Sequence, residues 1–468
     1  MGRGGLRHAG KLGDGVLMVQ LIVFFLLLVS QSTYAAAVVP STRQSVVPIE
    51  AVVATDFMKL AASPRVASAL NQLALDEPEA VREQIRLTEI PAPPFMEQRR
   101  AEYFLQQLRQ RGLDQAYIDS EGNVIVSRPG AGGGPTLLIA AHLDTVFPEG
   151  VDTTVEQRGD RYYAPGIGDD TRGLTVLLSL IDSLNQNGFE TQGDIIFSAN
   201  VGEEGRGDLR GIKAIFRDHP EIDGFVSIDG VRLSSITTGG TGSRRFEFQF
   251  SGPGGHSFSA FGLPSAIHAM GRTIAKIADL KTPVNPKTTF TVGTVAGGTS
   301  VNSIAADAVF ALDMRSNDKD ALARLEQAAK AAAVAAVAEE NARWDNSDIK
   351  LETKSEIKVD FKLIGDRPVG FTPARSPMVQ VAALAFDTLN IPLEALRIAS
   401  TDSNVPMSLG IPAITIAGGG NGGGAHSPEE WFSPENSHQG PQLALLIVLG
   451  LVGLVDVSPP LLLQIDMH

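Results

Sequence analysis

The sequence contains no cysteine among its 468 residues. This absence excludes disulfide bonds, thiolate ligands for zinc and lipid attachment at a cysteine. Stability must therefore come from packing, and any metal ion must be held by histidine and carboxylate side chains. A chain of this length is long enough for two or three domains of ordinary size.

Positive charge is also scarce. The chain has 39 Lys and Arg against 53 Asp and Glu, which gives a formal net charge of −14. The first 37 residues hold three of the basic and one of the acidic side chains, so the remainder has 36 against 52 and a net charge of −16. This excess of acid argues against nucleic acid or an anionic membrane as a partner.

Long apolar runs are confined to the two ends of the chain, and neither is long enough to span a bilayer comfortably. The first, 16–29, follows basic residues and precedes three alanines, which is typical of a secretory signal peptide. We therefore expect cleavage after residues 1–37, no stable membrane insertion, and a periplasmic or secreted protein. An uncleaved anchor is the alternative. The second run, 443–455, is predicted to be a helix packed on a sheet.

Several short apolar runs are each followed by a histidine or a carboxylate. In an open α/β sheet, ligands bind beyond the carboxyl ends of the strands, so residues that follow different strands can converge. Imidazoles and carboxylates that converge there would form a metal site. The runs are 136–141 before His142 and Asp144, 164–168 before Asp169 and Asp170, 194–201 before Glu203 and Glu204, 224–228 before Asp229, and 413–417 before His426.

Element order predicts two kinds of domain. Strands alternating with helices over 38–240 indicate an α/β catalytic domain with a mainly parallel sheet. After a glycine-rich break, the order strand, helix, strand, strand, helix indicates an inserted α+β domain of ferredoxin-like type at 241–355. The catalytic domain is then predicted to resume over 356–468.

Five residues are candidate metal ligands, which is more than one tetrahedral catalytic zinc takes. If Asp169 bridges, they divide into two sets around ions about 3.5–4 Å apart with a shared water. The donor types suit zinc, cobalt or manganese, and the division predicts two ions per subunit. The two sets are His142, Asp169 and Asp229, and Asp169, Glu204 and His426.

Two further carboxylates have predicted roles beside the ligands. Asp144 lies two positions after His142, so both side chains are expected on the same side of a strand, where Asp144 can accept the second imidazole N–H. Glu203 is next to a ligand and is the predicted general base. Either residue alone is as typical of a solvated turn, and the joint occurrence after apolar strands favours the functional interpretation.

The ordered motifs resemble a family of dizinc exopeptidases and deacylases that includes peptidase T, carboxypeptidase G, succinyl-diaminopimelate desuccinylase, acetylornithine deacetylase and aminoacylase. The resemblance covers about 90–455. It implies a co-catalytic dizinc site bridged by Asp169, with Glu203 as base and the insert as lid and dimerisation domain. The motifs are 141–144 (AHLD), 168–170 (GDD), 202–204 (GEE), Asp229, 255–257 (GHS) and 425–429 (AHSPE).

The resemblance also assigns roles to residues of the insert. It implies that His256 reaches an active site, often that of a partner subunit, and stabilises an oxyanion. It implies that Asn302 and Arg315 hold a substrate carboxylate or line the lid interface, and the planar fork of arginine suits a carboxylate. The residues alone favour the interpretation of His256 as a loop histidine satisfied by the backbone, and Arg315 can pair with Asp313 or Glu247.

Two departures from the family pattern bear on function. Many members have a lysine two positions after the bridging aspartate, where this chain has Thr171. The ligand at 229 is aspartate, as in the peptidase T branch, which favours a peptide with a free amino terminus. We therefore expect a small-peptide aminopeptidase, with an N-acyl amino acid deacylase or carboxypeptidase as the first alternative. An exported non-catalytic binding protein is the second.

Overall fold

The computed structural model describes residues 46–343 and 355–465, which belong to one compact unit. The predicted signal peptide at 1–37 lies outside the described residues. Within the described residues, no helix is both long and apolar enough to cross a membrane. The C-terminal apolar run forms the helix Gln439–Val452, which is buried along nearly its whole length, as predicted.

The main sheet has nine strands within the described chain. Its four central strands, Asp194–Asn200, Thr136–His142, Gly224–Ile228 and Ala413–Ile416, run parallel to one another. Antiparallel pairing occurs towards the two edges, so the prediction of a mainly parallel sheet is confirmed. The outer strands are Tyr117–Ile118, Val124–Arg128, Ser235–Gly240, Gly370–Phe371 and Ala395–Ala399.

Helices cover both faces of this sheet because its central strands are apolar on both sides. In the strand Thr136–His142, Leu137 and Ile139 contact one core, and Leu138 and Ala140 contact the other. The first core holds most of the helices, and the second is covered by Arg210–Asp218 and Asn404–Ser408. The helices on the first core are Ala51–Ala61, Pro64–Thr88, Gln98–Gln110, Thr171–Gln186, Pro377–Thr388 and Gln439–Val452.

The inserted domain is a four-stranded antiparallel sheet with two helices packed on it. Residues of its strands alternate between this packed face and the other, and the stacked rings of Phe248 and Phe310, with centroids 4.7 Å apart, lie in its core. The helices are Ala266–Ala278 and Lys319–Ala342. Across the sheet the strands are Thr288–Gly297, Asp307–Ser316, Gly242–Ser251 and Lys358–Arg367.

The predicted end of this domain at residue 355 is wrong. The strand Lys358–Arg367 pairs along its length with Gly242–Ser251, so the inserted domain ends near Arg367. This strand completes the ferredoxin-like order, in which a last strand follows the second helix. Local pattern could not assign it, because its pairing partner is more than a hundred residues away in sequence.

Two smaller sheets carry loops that contain candidate site residues. One contains Glu156–Arg158, Arg161–Tyr163, Asn421–Gly423 and Trp431–Ser433, and the loop between its last two strands carries His426. The other pairs Gly255–His256 with Ser303–Ile304 in the inserted domain.

Candidate metal centre

Parallel pairing brings the predicted ligands to one edge of the main sheet. His142 is the last residue of its strand and pairs in register with Asn200, the last residue of the next strand. Glu203 and Glu204 follow that strand after a short turn. Asp229 directly follows Gly224–Ile228, and its N–H donates to the carbonyl of Ile416 on the adjacent strand.

Asp169 lies between the two histidines. Its Oδ1 is 3.1 Å from Nε2 of His142, and its Oδ2 is 3.2 Å from Nε2 of His426. The same nitrogen of His426 is 2.9 Å from Oε1 of Glu204. Each carboxylate oxygen of Asp169 thus faces a different imidazole, which is the arrangement that a bridging ligand requires.

The described residues hold three compact groups of ligand atoms, and in each group the atoms lie within 4.8 Å of one another. Two of them have the membership predicted from the sequence: His142, Asp169 and Asp229, and Asp169, Glu204 and His426. The third consists of His142, Glu203 and Glu204. Imidazole nitrogens and carboxylate oxygens are donors that zinc, cobalt and manganese accept. The donor set therefore fits two divalent cations.

The charges of these groups depend on one another. Although burial opposes the charged imidazole, the nearby carboxylates of Asp144 and Asp169 raise the pKa of His142. Hydrogen bonds with Asp169 and Glu204 raise the pKa of His426 to about 10. Burial and the charge of Asp169 raise the pKa of Asp229 to about 7. Divalent cations would displace these protons and offset the carboxylate charge instead.

The tautomer of His142 is fixed by the main chain. Its Nδ1–H donates to the carbonyl of Asp144 at 3.0 Å, whereas the carboxylate Oδ1 of Asp144 is 3.7 Å away. The predicted bond to the carboxylate is therefore wrong in its acceptor atom, although Nε2 is left free for a metal, as expected. The carboxylate is directed elsewhere because it accepts the N–H groups of Glu203 at 3.1 Å and Glu204 at 2.8 Å.

Glu203 is buried, and an arginine from the inserted domain holds it. Nη1 of Arg367 is 3.3 Å from Oε1 of Glu203, and Nη2 donates to its main-chain carbonyl. Burial raises the pKa of Glu203 well above its usual value, with Glu204 adding to the shift and Arg367 opposing it. A carboxylate with increased proton affinity beside a metal pair is suited to accept a proton from water.

Glu430 holds the loop that carries Asp169. Its Oε1 accepts the N–H groups of Gly168 at 2.8 Å and Asp169 at 2.9 Å, and its Oε2 accepts that of Gly166 at 2.8 Å. Sequence reasoning missed this residue. The family motif ends one position earlier, at Glu429, and the two adjacent glutamates have the same chemistry.

The start of the helix Thr171–Gln186 supports the same loop. Asp170 accepts the N–H of Gly173 at 3.2 Å as a helix cap and that of His142 at 3.1 Å. The hydroxyl of Thr171, which replaces the family's lysine, donates within the buried loop to the carbonyl of Gly166 at 2.9 Å. The hydroxyl of Thr171 thus stabilises the main chain of the loop that carries Asp169.

The metal centre opens into a cleft of about 720 Å³ between the main sheet and the inserted domain. Arg315 lines this cleft, as its predicted substrate role requires, and it also binds Asp313 at 2.7 Å. His256 and Asn302 do not line it. Nδ1 of His256 accepts the N–H of Phe258 at 3.2 Å, and Asn302 accepts the hydroxyl of Ser300 at 2.6 Å.

Sequence reasoning also missed three other polar residues around the centre. Arg367 belongs to the strand that was assigned to the wrong domain. Asp402 is fully buried and accepts Nδ2 of Asn200 at 2.8 Å, and burial raises its pKa to about 6. Arg397 lines the cleft. Only the alternation of 395–399 could have indicated which of its side chains face the cleft.

Comparison with curated proteins gives partial matches. The chain is 31% identical over 176 residues to a putative [LysW]-lysine/[LysW]-ornithine hydrolase of Pyrococcus abyssi, which covers 38% of this chain and 47% of the relative. It is 27% identical over 202 residues to succinyl-diaminopimelate desuccinylase of Corynebacterium glutamicum, and this match covers 42% of this chain and 53% of the relative. It is 36% identical over 85 residues to carboxypeptidase G2 of Pseudomonas sp., and this match covers 18% of this chain and 20% of the relative. The match thus spans about half the length of the first two relatives and a fifth of the third.

Solved structures show the same fold over most of the chain. Aminopeptidase PepT from Bacillus cereus superposes with a TM-score of 0.63 at 19% identity, covering 80% of this chain and 98% of the other. A tripeptidase from Staphylococcus aureus superposes with a TM-score of 0.64 at 18% identity, covering 80% and 97%. The predicted fold class is confirmed.

The family profile gives the broadest sequence match. The profile described as peptidase family M20/M25/M40 matches residues 138–449, which include all five proposed ligands and the whole inserted domain. This confirms the resemblance inferred from the motifs and, at the level of the family, the expectation of a hydrolase. The chain belongs to peptidase family M20/M25/M40.

Proposed function

We propose that the protein is an exported, zinc-dependent metallopeptidase that hydrolyses amide bonds of small peptides, acting as an aminopeptidase. The observation that carries the proposal is the position of Asp169, whose two oxygens face two separate groups of ligands. Co-catalytic sites of this kind suit attack of water on an amide carbonyl.

The site residues have separate roles in metal binding and proton transfer. His142 and Asp229 would hold one zinc, Glu204 and His426 the other, and Asp169 both. When bound, the ions would lower the pKa of water and polarise the carbonyl. Glu203 accepts the proton of the attacking water and returns it to the leaving amine. Asp144 keeps Glu203 and Glu204 in position through their N–H groups.

Aspartate at position 229 supports a substrate with a free amino terminus, since it matches the peptidase T branch. The alternative within the family is an N-acyl amino acid deacylase or a carboxypeptidase. It is supported by the sequence matches to a desuccinylase and to a carboxypeptidase. The choice depends on the substrate terminus that the cleft accepts.

A substrate panel tests the proposal. Purified protein is assayed with Gly-Gly-Gly, N-acetyl amino acids and N-terminally blocked dipeptides, each with zinc, with chelator, and with zinc restored. We expect chelator-sensitive hydrolysis of the free tripeptide and none of the blocked peptides. Hydrolysis of the N-acetyl amino acids alone would favour the deacylase. Binding of the panel without any turnover, zinc present, would favour the non-catalytic binding protein.

We further propose a homodimer formed through the inserted domain, which would bring His256 of one subunit to the other subunit's cleft. The strand Thr288–Gly297 is an exposed edge of its sheet, and the neighbouring Phe258 and Val301 are 87% and 103% exposed. Exposed edges and apolar side chains favour pairing with another chain.

Subunit mixing tests the dimer. Glu203→Gln and His256→Ala proteins are each expected to have little activity, and mixed dimers are expected to recover part of it, because one cleft receives both intact residues. Absence of recovery, with dimers confirmed by analytical ultracentrifugation, would place His256 outside the partner's site. Export is tested separately by N-terminal sequencing of the mature protein.

A further inference from the structure

Five arginines line the cleft, and three of them have anionic partners. Arg367 pairs with Glu203, and Arg245 and Arg315 share Asp313, with Nε atoms 3.1 and 2.7 Å from its carboxylate oxygens. The five lining arginines are Arg232, Arg245, Arg315, Arg367 and Arg397.

Arg232 and Arg397 differ from these three. Both are exposed, and neither forms an ion pair, hydrogen bond or ring contact with any residue in the part of the chain that the structure describes. Strand pairing puts them on one wall of the cleft. Arg397 lies beside Thr237, and Arg232 lies three residues before Ser235, the first residue of the same strand. Thr237 and Ser235 also line the cleft.

The carboxylates of the cleft are all engaged elsewhere. Asp169, Glu204 and Asp229 are the proposed metal ligands, Glu203 pairs with Arg367, and Glu430 accepts three backbone N–H groups. No cleft carboxylate remains for Arg232 or Arg397. In a chain with a net charge of −14, two unpaired guanidinium groups beside a metal centre indicate an anionic ligand.

We propose that the amide substrate is acidic: it carries a side-chain carboxylate, as aspartate or glutamate does, that Arg232 and Arg397 bind. This inference rests on the proposed function and names its substrate class. Guanidinium binds carboxylate through two parallel charge-assisted hydrogen bonds, which are about twice as strong as neutral ones.

Matched peptides measure the preference for charge. Glutamate and its neutral isostere glutamine are compared at each position of a glycine tripeptide, as in Glu-Gly-Gly with Gln-Gly-Gly and Gly-Gly-Glu with Gly-Gly-Gln. At one position kcat/KM is expected to be at least about tenfold higher for glutamate, as a charge-assisted pair in a partly enclosed cleft provides. Equal values at all three positions would overturn the proposal.

Variants assign the preference to residues. In R232Q and R397Q the ratio of kcat/KM for the glutamate peptide to kcat/KM for the glutamine peptide is expected to fall towards unity. Arg324→Gln is the matched control, because Arg324 is also exposed and also has no partner among the described residues, yet lies away from the cleft on the helix Lys319–Ala342. A glutamate preference that survives in both cleft variants would show that other residues bind the carboxylate.

Failure of the proposed function would be distinguishable from failure of this inference. If the enzyme is a deacylase, N-acetylglutamate and N-acetylglutamine give the same comparison. If neither peptides nor acyl amino acids turn over, calorimetry on zinc-loaded E203Q compares binding of Gly-Gly-Glu and Gly-Gly-Gln, and of the two N-acetyl amino acids. Tighter binding of a glutamate ligand, lost in the double variants with R232Q or R397Q, supports the acidic site, and equal binding overturns it.

Discussion

Among single residues, Glu430 gives a sharp contrast with its neighbour. Its two oxygens accept three N–H groups from the loop that ends at Asp169, whereas the side chain of Glu429 is 77% exposed. The first residue holds the loop of Asp169, the proposed bridging ligand. Among the described residues, the side chain of the second has a single long ion pair, with Arg158 at 3.5 Å.

Glu430→Gln is therefore expected to weaken zinc binding about 10- to 100-fold, as loss of a residue that orients a ligand typically does. The amide lacks one of the acceptor oxygens that the loop uses. Competition with a chromophoric chelator measures the affinity. Glu429→Gln is the matched control and should bind zinc as the wild type does. Equal zinc affinity in both variants would contradict the positioning role.

Glu203→Gln should separate metal binding from catalysis. The amide keeps the shape of the side chain but cannot accept the proton, so kcat is expected to fall by at least about 10²-fold, the lower range for general base catalysis. Two zinc ions per subunit should remain, as measured by inductively coupled plasma mass spectrometry. A variant that hydrolyses peptides at near the wild-type rate would show that another group is the base.

Residues of the centre could be predicted where a side chain suited to metal binding directly follows a predicted strand. The five proposed ligands each follow an apolar run, and their donor atoms converge as predicted. Glu430 could not be chosen over Glu429, because only the pairing of the next residue, Trp431, with Tyr163 directs it towards the loop. The acceptor of His142 could not be predicted, since it depends on main-chain geometry at Asp144.

Among the elements, the last strand of the inserted domain joins the two domains at the centre. Arg367 ends this strand and holds Glu203, while the neighbouring main-chain carbonyl of Asp366 accepts Nζ of Lys213 at 2.8 Å. Arg245, on the adjacent strand, donates to the carbonyl of Gly205. The position of the inserted domain is thus coupled directly to the turn that carries Glu203, the proposed base. The coupling depends on the pairing of Lys358–Arg367 with Gly242–Ser251, which a local sequence pattern cannot predict.

The closing helix Gln439–Val452 depends on a close main-chain contact. A Cβ at Gly440 would lie 1.7 Å from the carbonyl oxygen of Gly418, in the loop that leads to His426. Gly440→Ala is expected to lower the free energy of unfolding by about 1–3 kcal/mol or more, as overpacking does, and to lower zinc affinity with it.

Gly271, inside the helix Ala266–Ala278, provides the opposite case. A Cβ there meets nothing within 4 Å, so Gly271→Ala is expected to stabilise the protein by about 0.5–1 kcal/mol through helix propensity. Urea denaturation of the full chain measures both variants. An unchanged free energy of unfolding in Gly440→Ala would mean that the helix and the loop can move apart without loss of stability.

At the scale of the whole molecule, the sequence predicts the order of the elements better than the burial of the charged side chains. Element order was enough to predict the α/β sheet and the insert, because period and length differ clearly between strands and helices. Element order could not predict which arginines line the cleft or how deeply the carboxylates are buried. The burial of the carboxylates determines how the stability of the metal-free protein depends on pH.

Several groups around the centre bind protons more tightly in the folded than in the unfolded state. Burial raises the pKa of Asp229 and Glu430 to about 7 and that of Asp402 to about 6, and Asp169 and Glu204 raise that of His426 to about 10. Stability from such groups is present at low pH. It is lost between about pH 4 and 7 for the carboxyl groups and between about 6.5 and 10 for the histidine.

The chelated protein is therefore expected to melt several degrees lower at pH 8 than at pH 5. Asp144 and Asp169, whose pKa values are lowered, act in the opposite sense only below about pH 4. Divalent cations replace the lost protons, so the stabilisation by zinc should grow over the same interval. Scanning calorimetry with chelator and with zinc measures both trends. A chelated protein that becomes more stable from pH 5 to 8 would show that the carboxylate cluster is already ionised at pH 5.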